Sequence, residues 1–279
     1  MIRLLRQLPI LFLLLLCSCS SMLYYPDRPE LVDRAKLPLK PQDIYFNSAN
    51  GAKLHGWYFE STVAHKRSCV LLFFHGNAQN LSSHFLNLYS APEQGYDYFI
   101  FDYQGYGESE GHPTPRHTVE DGEAAMRWLA SKQSRKSIVV FGQSLGGIVA
   151  LKTVLNLKNE ITPKAVFADS TFSSYRSAGR AVLNQSWLTW LFQPFGWFLL
   201  SDEMAPKGHV AELSPIPLIV IHGTNDRAIP EQLGKSLYAE AAEPKEFWEI
   251  SNGRHTDFMF RDRRQYADKF FDKLDSFCD

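Results

Sequence analysis

The fold is decided by ten residues, IVVFGQSLGG, at positions 138–147. The apolar run 138–141 predicts a strand buried on both faces, and residues 145–157 predict a helix only three residues later. The sharp turn between them fits the pattern G-x-S-x-G, in which a serine occupies a strained tip and the glycines leave room for neighbouring backbone. We therefore predict that Ser144 is a nucleophile, the alternative being an ordinary serine N-cap.

Similar apolar runs recur on both sides of this turn. Alternating with helical segments, they predict crossover units and a mostly parallel sheet. Ahead of them, residues 44–46 and Lys53 to Phe59 flank Asn50-Gly51, which indicates an antiparallel hairpin at one edge. The further predicted strands are 70–74, 98–101, 165–168, 218–221 and, more weakly, 247–250. The further predicted helices are 81–90, 118–130, 231–242 and 262–277.

Composition narrows the class of protein. The chain has 279 residues, 45% of them apolar and 21% charged, with a formal net charge of −1, which is typical of a globular protein. It contains no run rich in Lys and Arg, so nothing indicates a nucleic-acid partner. Cys69 and Cys278 lie far apart without Cys/His spacing, so we predict no metal site and leave a disulfide between them open.

The N-terminus has the features of a secretory signal. Arg3 and Arg6 precede an apolar run, residues 8–16, which as a helix would span only about 14 Å of a bilayer core of about 30 Å. The following Leu-Cys-Ser-Cys resembles the lipobox of bacterial lipoproteins. We expect a signal peptide over 1–18 and a lipid on Cys19. Cleavage at Cys17, an ordinary cleaved signal and an uncleaved anchor are the alternatives.

Residues 19–41 are predicted to form a lipid-anchored arm ahead of the main domain, 42–279. The part from Ser20 to Pro41 carries four prolines and charges of both signs, which favours a stalk or a surface arm. Ser20 supplies no Asp-type retention signal after the lipidated cysteine. The expected location is therefore the periplasmic face of the outer membrane.

A serine nucleophile needs a base, and the base needs an anion that fixes its tautomer. His255, in NGRHTDF at 252–258, is the best base because it lies in a loop between the last predicted strand and the last helix. Asp226, just beyond the strand 218–221, is the predicted acid, and Asp169 is its competitor. The other histidines are expected to be less important.

Among those histidines, His75 and His222 are expected to hold loops by hydrogen bonds. His84 either lines a pocket or belongs to a surface helix. The rest are expected at the surface or in loops: His55, His65, His112, His117 and His209.

The reaction also needs hydrogen-bond donors for a developing oxyanion. The backbone amide of Leu145, directly after the nucleophile, is one predicted donor. The loop HGNA at 75–78 follows a strand, and the amide of Asn77 is the other.

Six segments together resemble a branch of bacterial α/β hydrolases that also includes eukaryotic membrane-associated protein depalmitoylases. The resemblance runs from about Asn47 to the C-terminus. It implies the α/β-hydrolase fold, a serine esterase or thioesterase mechanism and no cofactor, with Asp102 and residues 105–107 shaping a loop beside the site. The segments are FFHGNAQNLSSH (73–84), FDYQGYGESEG (101–111), FGQSLGG (141–147), ADSTFSSY (168–175), IHGTNDRAIP (221–230) and NGRHTDF (252–258).

An apolar insertion is predicted to form a short lid at about 172–209. Within it, residues 187–200 include ten apolar side chains, three of them Trp, and no charge, while Pro194 and Gly196 argue against one continuous helix. The lid packs on the core, lines an acyl pocket or contacts a membrane. The candidate substrate contacts are Trp187, Trp190, Phe195 and Trp197.

These features predict a hydrolase of small carboxylic esters or thioesters that acts through an acyl-enzyme. A serine peptidase resembling an aminopeptidase is one alternative, but it needs a carboxylate cluster to hold an α-amine. A lipid-anchored binding protein without catalysis is the other. The sequence leaves the acyl group and the oligomeric state open.

Overall fold

The computed structural model describes residues 24–132, 136–184, 200–262 and 265–278. The predicted signal peptide, Cys19 and the four lid aromatics lie outside these ranges, so the proposed division of the chain at residues 18 and 41 stays a prediction.

The strands form one eight-stranded sheet in the order β1-β2-β4-β3-β5-β6-β7-β8. β1 pairs antiparallel with β2, and β2 with β4, whereas the remaining pairs are parallel. This confirms the predicted α/β fold with its edge hairpin. The strands are β1 Gln42–Asn47, β2 Lys53–Phe59, β3 Cys69–Phe74, β4 Asp97–Phe101, β5 Ser137–Gln143, β6 Ala165–Asp169, β7 Leu218–Gly223 and β8 Lys245–Ile250.

The helices cover both faces of the sheet, which explains why the central strands read as apolar runs. Leu72 and Phe74 of β3 point into the core that includes Ile148, whereas Leu71 and Phe73 point into the core beneath the C-terminal helix. The α-helices in the described ranges are α1 Leu81–His84, α2 Pro115–Lys132, α3 Leu145–Leu157, α4 Tyr175–Asn184, α5 Glu231–Glu240 and α6 Gln265–Cys278.

The helix predicted over 81–90 is confirmed only in its first four residues. α1 ends at His84, and the chain continues as a 3₁₀ turn, Phe85–Leu88. Phe85 and Leu88 are both fully buried, and a spacing of three residues keeps them on one face of a 3₁₀ helix.

A disulfide joins Cys69, the first residue of β3, to Cys278, the last residue of α6. The sequence had left this pairing open, because the two residues are 209 positions apart. The backbone amide of Ser68 also donates to the Cys278 carbonyl at 3.3 Å. The end of the described chain is thereby fixed to the centre of the sheet.

The predicted arm lies along the surface of the domain. Tyr24 is buried, its hydroxyl is 3.3 Å from Thr118 Oγ1, and Pro26 forms a parallel bridge with Gln79.

Every helix in the described ranges is too short or too polar to cross a membrane.

The surface location predicted for His55 is wrong. His55 is buried on β2, and its Nε2 lies 2.8 Å from Asp43 Oδ1 on the neighbouring strand β1. The sequence did not reveal this because β2 is covered on both faces although it is near the sheet edge.

Candidate active site

Ser144 occupies a strained turn between β5 and α3. Its φ of 55° lies in the left-handed region, which costs a residue other than glycine about 1–3 kcal/mol. A Cβ added to Gly146 would come within 2.1 Å of the Phe74 carbonyl oxygen, and one added to Gly142 within 2.7 Å of Gly147 Cα. Both glycines of the G-x-S-x-G pattern are therefore required by close backbone contacts.

Thr171, in the loop after β6, braces the turn from the other side. Its hydroxyl donates to the Ser144 carbonyl at 2.6 Å, while the Ser144 amide donates to the Asp169 carbonyl at 2.8 Å. A Cβ on Gly147 would lie 2.5 Å from the Thr171 side chain. The glycine after the pattern thus makes room for this brace.

Ser144, His255 and Asp226 lie in contact with one another. His255 Nε2 is 3.0 Å from Ser144 Oγ, and His255 Nδ1 is 2.7 Å from Asp226 Oδ2. Each residue follows the carboxyl end of its strand, so the three loops meet at one edge of the parallel sheet. The arrangement can move a proton from the serine hydroxyl to the imidazole.

Asp226 is buried and held by several donors. The amides of Ala228 and Ile229 donate to Oδ1 at 2.8 and 2.9 Å, and His222 Nε2 lies 3.5 Å from Oδ2. Burial opposes ionisation, but the hydrogen bonds from His222 and His255 outweigh it and hold the pKa of Asp226 well below its ordinary value. The carboxylate therefore stays charged beside His255.

Asp169, the competing acid, has other partners. It accepts hydrogen bonds from Ser170 Oγ at 2.9 Å and from Gln143 Nε2 at 3.4 Å. Burial raises the pKa of Asp169 to about 6, so this carboxyl is much easier to protonate than Asp226. The geometry favours Asp226 as the partner of the imidazole.

The loop containing Asn77 runs beside Ser144, since a Cβ on Gly76 would lie 3.6 Å from Ser144 Cβ. Asn77 Oδ1 accepts one hydrogen bond from the Tyr106 hydroxyl and one from the Tyr25 amide, each at 3.0 Å. Leu145 is the first residue of α3, where a backbone amide has no acceptor within the helix.

Asp102 and the loop 105–107 support the Asn77 loop from below. Asp102 Oδ1 accepts from the Leu81 amide at 2.8 Å, and a Cβ on Gly107, whose φ is +46°, would lie 2.0 Å from Asp102 Oδ2. The Tyr103 hydroxyl donates to the His75 carbonyl at 3.1 Å. These contacts agree with the structural role expected for Asp102 and the loop.

The predicted loop histidines lie where hydrogen bonding was expected. His75 Nδ1 is 2.8 Å from the Gly76 carbonyl, and His222 Nε2 is 2.9 Å from the Ile229 carbonyl. His84 is half-buried and stacks on His75 with ring centroids 5.1 Å apart. Burial, assisted by His75, lowers the pKa of His84 to about 4, so its imidazole is neutral near pH 7.

The two ends of the predicted lid are tied together. Asp202 accepts hydrogen bonds from the Ser174 hydroxyl at 2.7 Å and the Arg176 amide at 3.1 Å. Arg176 Nε donates to the Leu200 carbonyl at 2.8 Å. Trp187, Trp190, Phe195 and Trp197 fall in 185–199, outside the described residues.

Two contributors to this site were missed by the sequence. The Tyr25 amide reaches Asn77 from an arm with no catalytic motif, and His222 approaches Asp226 although it was expected only to hold a loop. The Tyr25 contact has no local signal because a backbone donor has no residue preference, and the His222 contact depends on how the loop after β7 folds back. In the described ranges, no group of three or more His, Cys, Asp and Glu side chains is arranged to hold a metal ion.

Comparison with known proteins found a matching family model and relatives that are about 30% identical in sequence. A family model described as the alpha/beta hydrolase fold matches residues 70–198. YfhR of Salmonella typhi is 31% identical, with 99% of this chain and 95% of YfhR covered. The α/β-hydrolase domain-containing protein WAV2 of Arabidopsis thaliana is 30% identical, with 88% and 83% covered.

Two further proteins have an activity in their names. The lysophosphatidylserine lipase ABHD12 of Danio rerio is 31% identical, with 80% of this chain and 59% of ABHD12 covered. The structure of the Pyrococcus furiosus esterase Pf2001 superimposes with a TM-score of 0.71, covering 92% of this chain and 98% of the esterase. At 18% identity, this second likeness concerns the fold alone.

The contact between Asp226 and His255 predicts how the two acids differ. Asp226→Asn should lower kcat for p-nitrophenyl acetate by roughly 10⁴-fold, because it removes the charge and favours the wrong imidazole tautomer. Asp169→Asn should stay within about tenfold of the parent, because its carboxyl binds Ser170 and Gln143 instead. Steady-state kinetics on folded variants measures both, and the reverse order would place the acid at Asp169.

Proposed function

The chain belongs to the α/β-hydrolase family and is a hydrolase, and on that premise we propose that it cleaves carboxylic esters or thioesters through an acyl-enzyme at Ser144. The observation that carries the proposal is the unbroken series of contacts from Ser144 Oγ through His255 to Asp226, at 3.0 and 2.7 Å. No cofactor enters this mechanism, because the three side chains supply the nucleophile, the base and the anion.

In the first half-reaction, Ser144 Oγ attacks the acyl carbon while His255 Nε2 accepts the hydroxyl proton. The negative charge of Asp226 stabilises the imidazolium that forms. The amides of Asn77 and Leu145 are the proposed donors to the developing oxyanion. Collapse of the tetrahedral intermediate breaks the bond to the leaving oxygen or sulfur, which takes the proton from His255.

In the second half-reaction, water attacks the acyl-enzyme while His255 removes its proton. The new tetrahedral intermediate expels Ser144 Oγ, which recovers a proton from the imidazolium, and the carboxylic acid leaves.

The strained turn at Ser144 supports a catalytic role over simple binding. A binding protein without catalysis would gain nothing from a serine with a φ of 55° aimed at an imidazole.

One relative, ABHD12, is described as a lysophosphatidylserine lipase, and this name favours the hypothesis of an ester or thioester hydrolase over that of a peptidase. A peptidase of the aminopeptidase type needs carboxylates that hold an α-amine, and the sequence offers no motif for them. Parallel assays on acyl esters, acyl thioesters and aminoacyl amides separate these possibilities.

A fluorophosphonate probe tests the nucleophile directly. We expect one probe per chain, attached to Ser144, because only this serine contacts an imidazole that is paired with a carboxylate among the described residues. Mass spectrometry of the labelled peptide identifies the site. Ser144→Ala is the control, and labelling that survives this substitution would overturn the assignment.

The substrate preference is proposed to come from the lid. Trp187, Trp190, Phe195 and Trp197 are the proposed contacts for the acyl chain, because so many aromatic side chains exceed what a surface loop requires. Each methylene buried against them would contribute about 0.8 kcal/mol, or about fourfold in kcat/KM. Membrane contact by this segment is the competing role.

We expect kcat/KM for p-nitrophenyl esters to rise from acetate towards medium chains, measured below the critical micelle concentration of each ester. Trp190→Ser should flatten this rise but retain acetate hydrolysis, because it removes only the contact with longer chains. Phe260→Ser, which alters an exposed aromatic outside the lid, is the matched control and should preserve the rise. A parent profile that peaks at acetate would reject the acyl-pocket role.

The proposed location is the periplasmic side of the outer membrane, with a diacylglycerol thioether on Cys19. The disulfide between Cys69 and Cys278 supports an oxidising compartment, since such bonds are rare in the cytosol. The Leu-Cys-Ser-Cys segment at 16–19 supplies the residues that lipidation requires.

Mass spectrometry of the mature N-terminus from membranes checks this location. We expect a lipid-modified peptide that begins at Cys19, and we expect Cys19→Ser to release the protein from the membrane fraction. Cys17→Ser is the matched control and should leave lipidation intact. A parent chain that begins elsewhere, or that carries an unmodified Cys19, would refute the proposal.

A further inference from the structure

The part of the N-terminal arm from residue 24 to residue 39 contacts the loop that contains Asn77 through several of its backbone groups. Pro26 forms a parallel bridge with Gln79, and the Asp27 amide donates to the Gln79 carbonyl at 3.1 Å. Two residues before Asp27, the Tyr25 amide donates to Asn77 Oδ1 at 3.0 Å. The arm therefore meets the loop at an isolated β-bridge with a hydrogen bond close by on each side.

The arm is itself fixed where it meets the loop. Asn80 Nδ2 donates to the carbonyls of Asp27 and Pro29 at 3.0 and 2.8 Å. The Gly107 amide donates to the Asp27 carbonyl at 2.9 Å, and the buried Tyr24 side chain lies against Thr118. Several elements thus hold the arm in one place.

Fixation continues beyond this contact. The Leu31 amide donates to Ser82 Oγ at 2.9 Å, and Arg34 pairs with Glu30 and Asp43. The Arg34 guanidinium also lies 5.1 Å from the centre of the Trp57 ring. The arm is anchored at both ends of the stretch that touches the Asn77 loop.

The loop needs such support because part of it is strained. Gln79 has a φ of +66°, which lies in the left-handed region that is unfavourable for residues other than glycine. The Asn77 amide is useful only if it points at the position where the oxyanion forms, and small misplacements of such a donor are costly. The Tyr25 amide and the Tyr106 hydroxyl both donate to Asn77 Oδ1, and these two hydrogen bonds hold the Asn77 residue in its orientation.

We propose that residues 25–27 are a positioning clamp that holds the Asn77 amide in the direction required by the transition state. The clamp rests on the proposed function, in which this amide stabilises the oxyanion. It acts through Asn77 and does not touch the substrate. Residues 25–27 would then support catalysis, whereas the rest of the arm would not take part in it.

Removing the hydrogen of the Tyr25 backbone amide tests the clamp. Tyr25→Pro abolishes the amide that donates to Asn77 Oδ1, whereas Tyr25→Ala keeps the amide and removes only a side chain that is 64% exposed. We expect kcat of Tyr25→Pro to be at least about tenfold below that of Tyr25→Ala, with KM within about twofold. Outright loss of a donor costs about 10²–10³-fold and sets the upper limit.

A transition-state analogue gives the readout that general loosening would not reproduce. A trifluoromethyl ketone forms a hemiketal oxyanion on the serine, so its affinity should fall by the same factor as kcat. Leu39→Pro, which removes the amide that donates to the Tyr89 hydroxyl elsewhere on the arm, is the control and should retain parental kcat.

A second variant covers the possibility that Tyr25→Pro does not fold. Asn80→Ser removes the donors to Asp27 and Pro29 but keeps an N-cap oxygen for the Ser82 amide, because serine is an equally good cap. We expect the same loss of kcat with little change in KM.

Parental kcat in folded Tyr25→Pro or in folded Asn80→Ser would overturn the clamp while leaving the proposed function intact. A rise in KM alone, with unchanged affinity for the ketone, would also overturn it. If the unaltered protein fails to react with fluorophosphonate, the proposed function is rejected, and the clamp with it.

Discussion

The structure depends on the close approach of α3 to the carboxyl end of β3. At that point the backbone of Gly146 passes so near the carbonyls of Phe74 and His75 that a single added carbon would lie 2.1 and 2.4 Å from them. In the same turn Ser144 has a φ in the left-handed region, and its Oγ lies 3.0 Å from His255 Nε2. The close approach also brings the Asn77 loop, which continues from β3, beside the serine.

Two buried carboxyls near this turn, Asp226 and Asp169, lie in different surroundings. Two backbone amides and two histidines surround Asp226, which keeps it ionised, whereas Asp169 has one hydroxyl and a more distant amide and is easier to protonate. Asp169 is the last residue of β6, and Asp226 lies three residues beyond the end of the neighbouring parallel strand β7. Burial raises the pKa of both carboxyls, and only Asp226 has enough hydrogen-bond donors to outweigh it.

Both ends of the described chain are attached to elements that shape the site. The arm pairs with the Asn77 loop through Pro26 and Gln79, and the disulfide fixes α6 to the first residue of β3. β3 therefore connects to the C-terminus at one end and to the Asn77 loop at the other. The surroundings of the candidate site therefore include segments outside the central sheet and its motifs.

The sequence by itself determined the sheet, its edge hairpin and the order of Ser144, Asp226 and His255, because apolar periodicity, turn glycines and short loops are local properties. The sequence favoured Asp226 over Asp169 as the partner of His255, and the tertiary structure decided between them, since both lie at the carboxyl ends of buried strands. The tertiary structure also decided the burial of His55, the break after α1, the pairing of Cys69 with Cys278 and the contact of the arm with Asn77. Each of these joins groups distant along the chain or depends on the packing around them, and no local pattern encodes such distances.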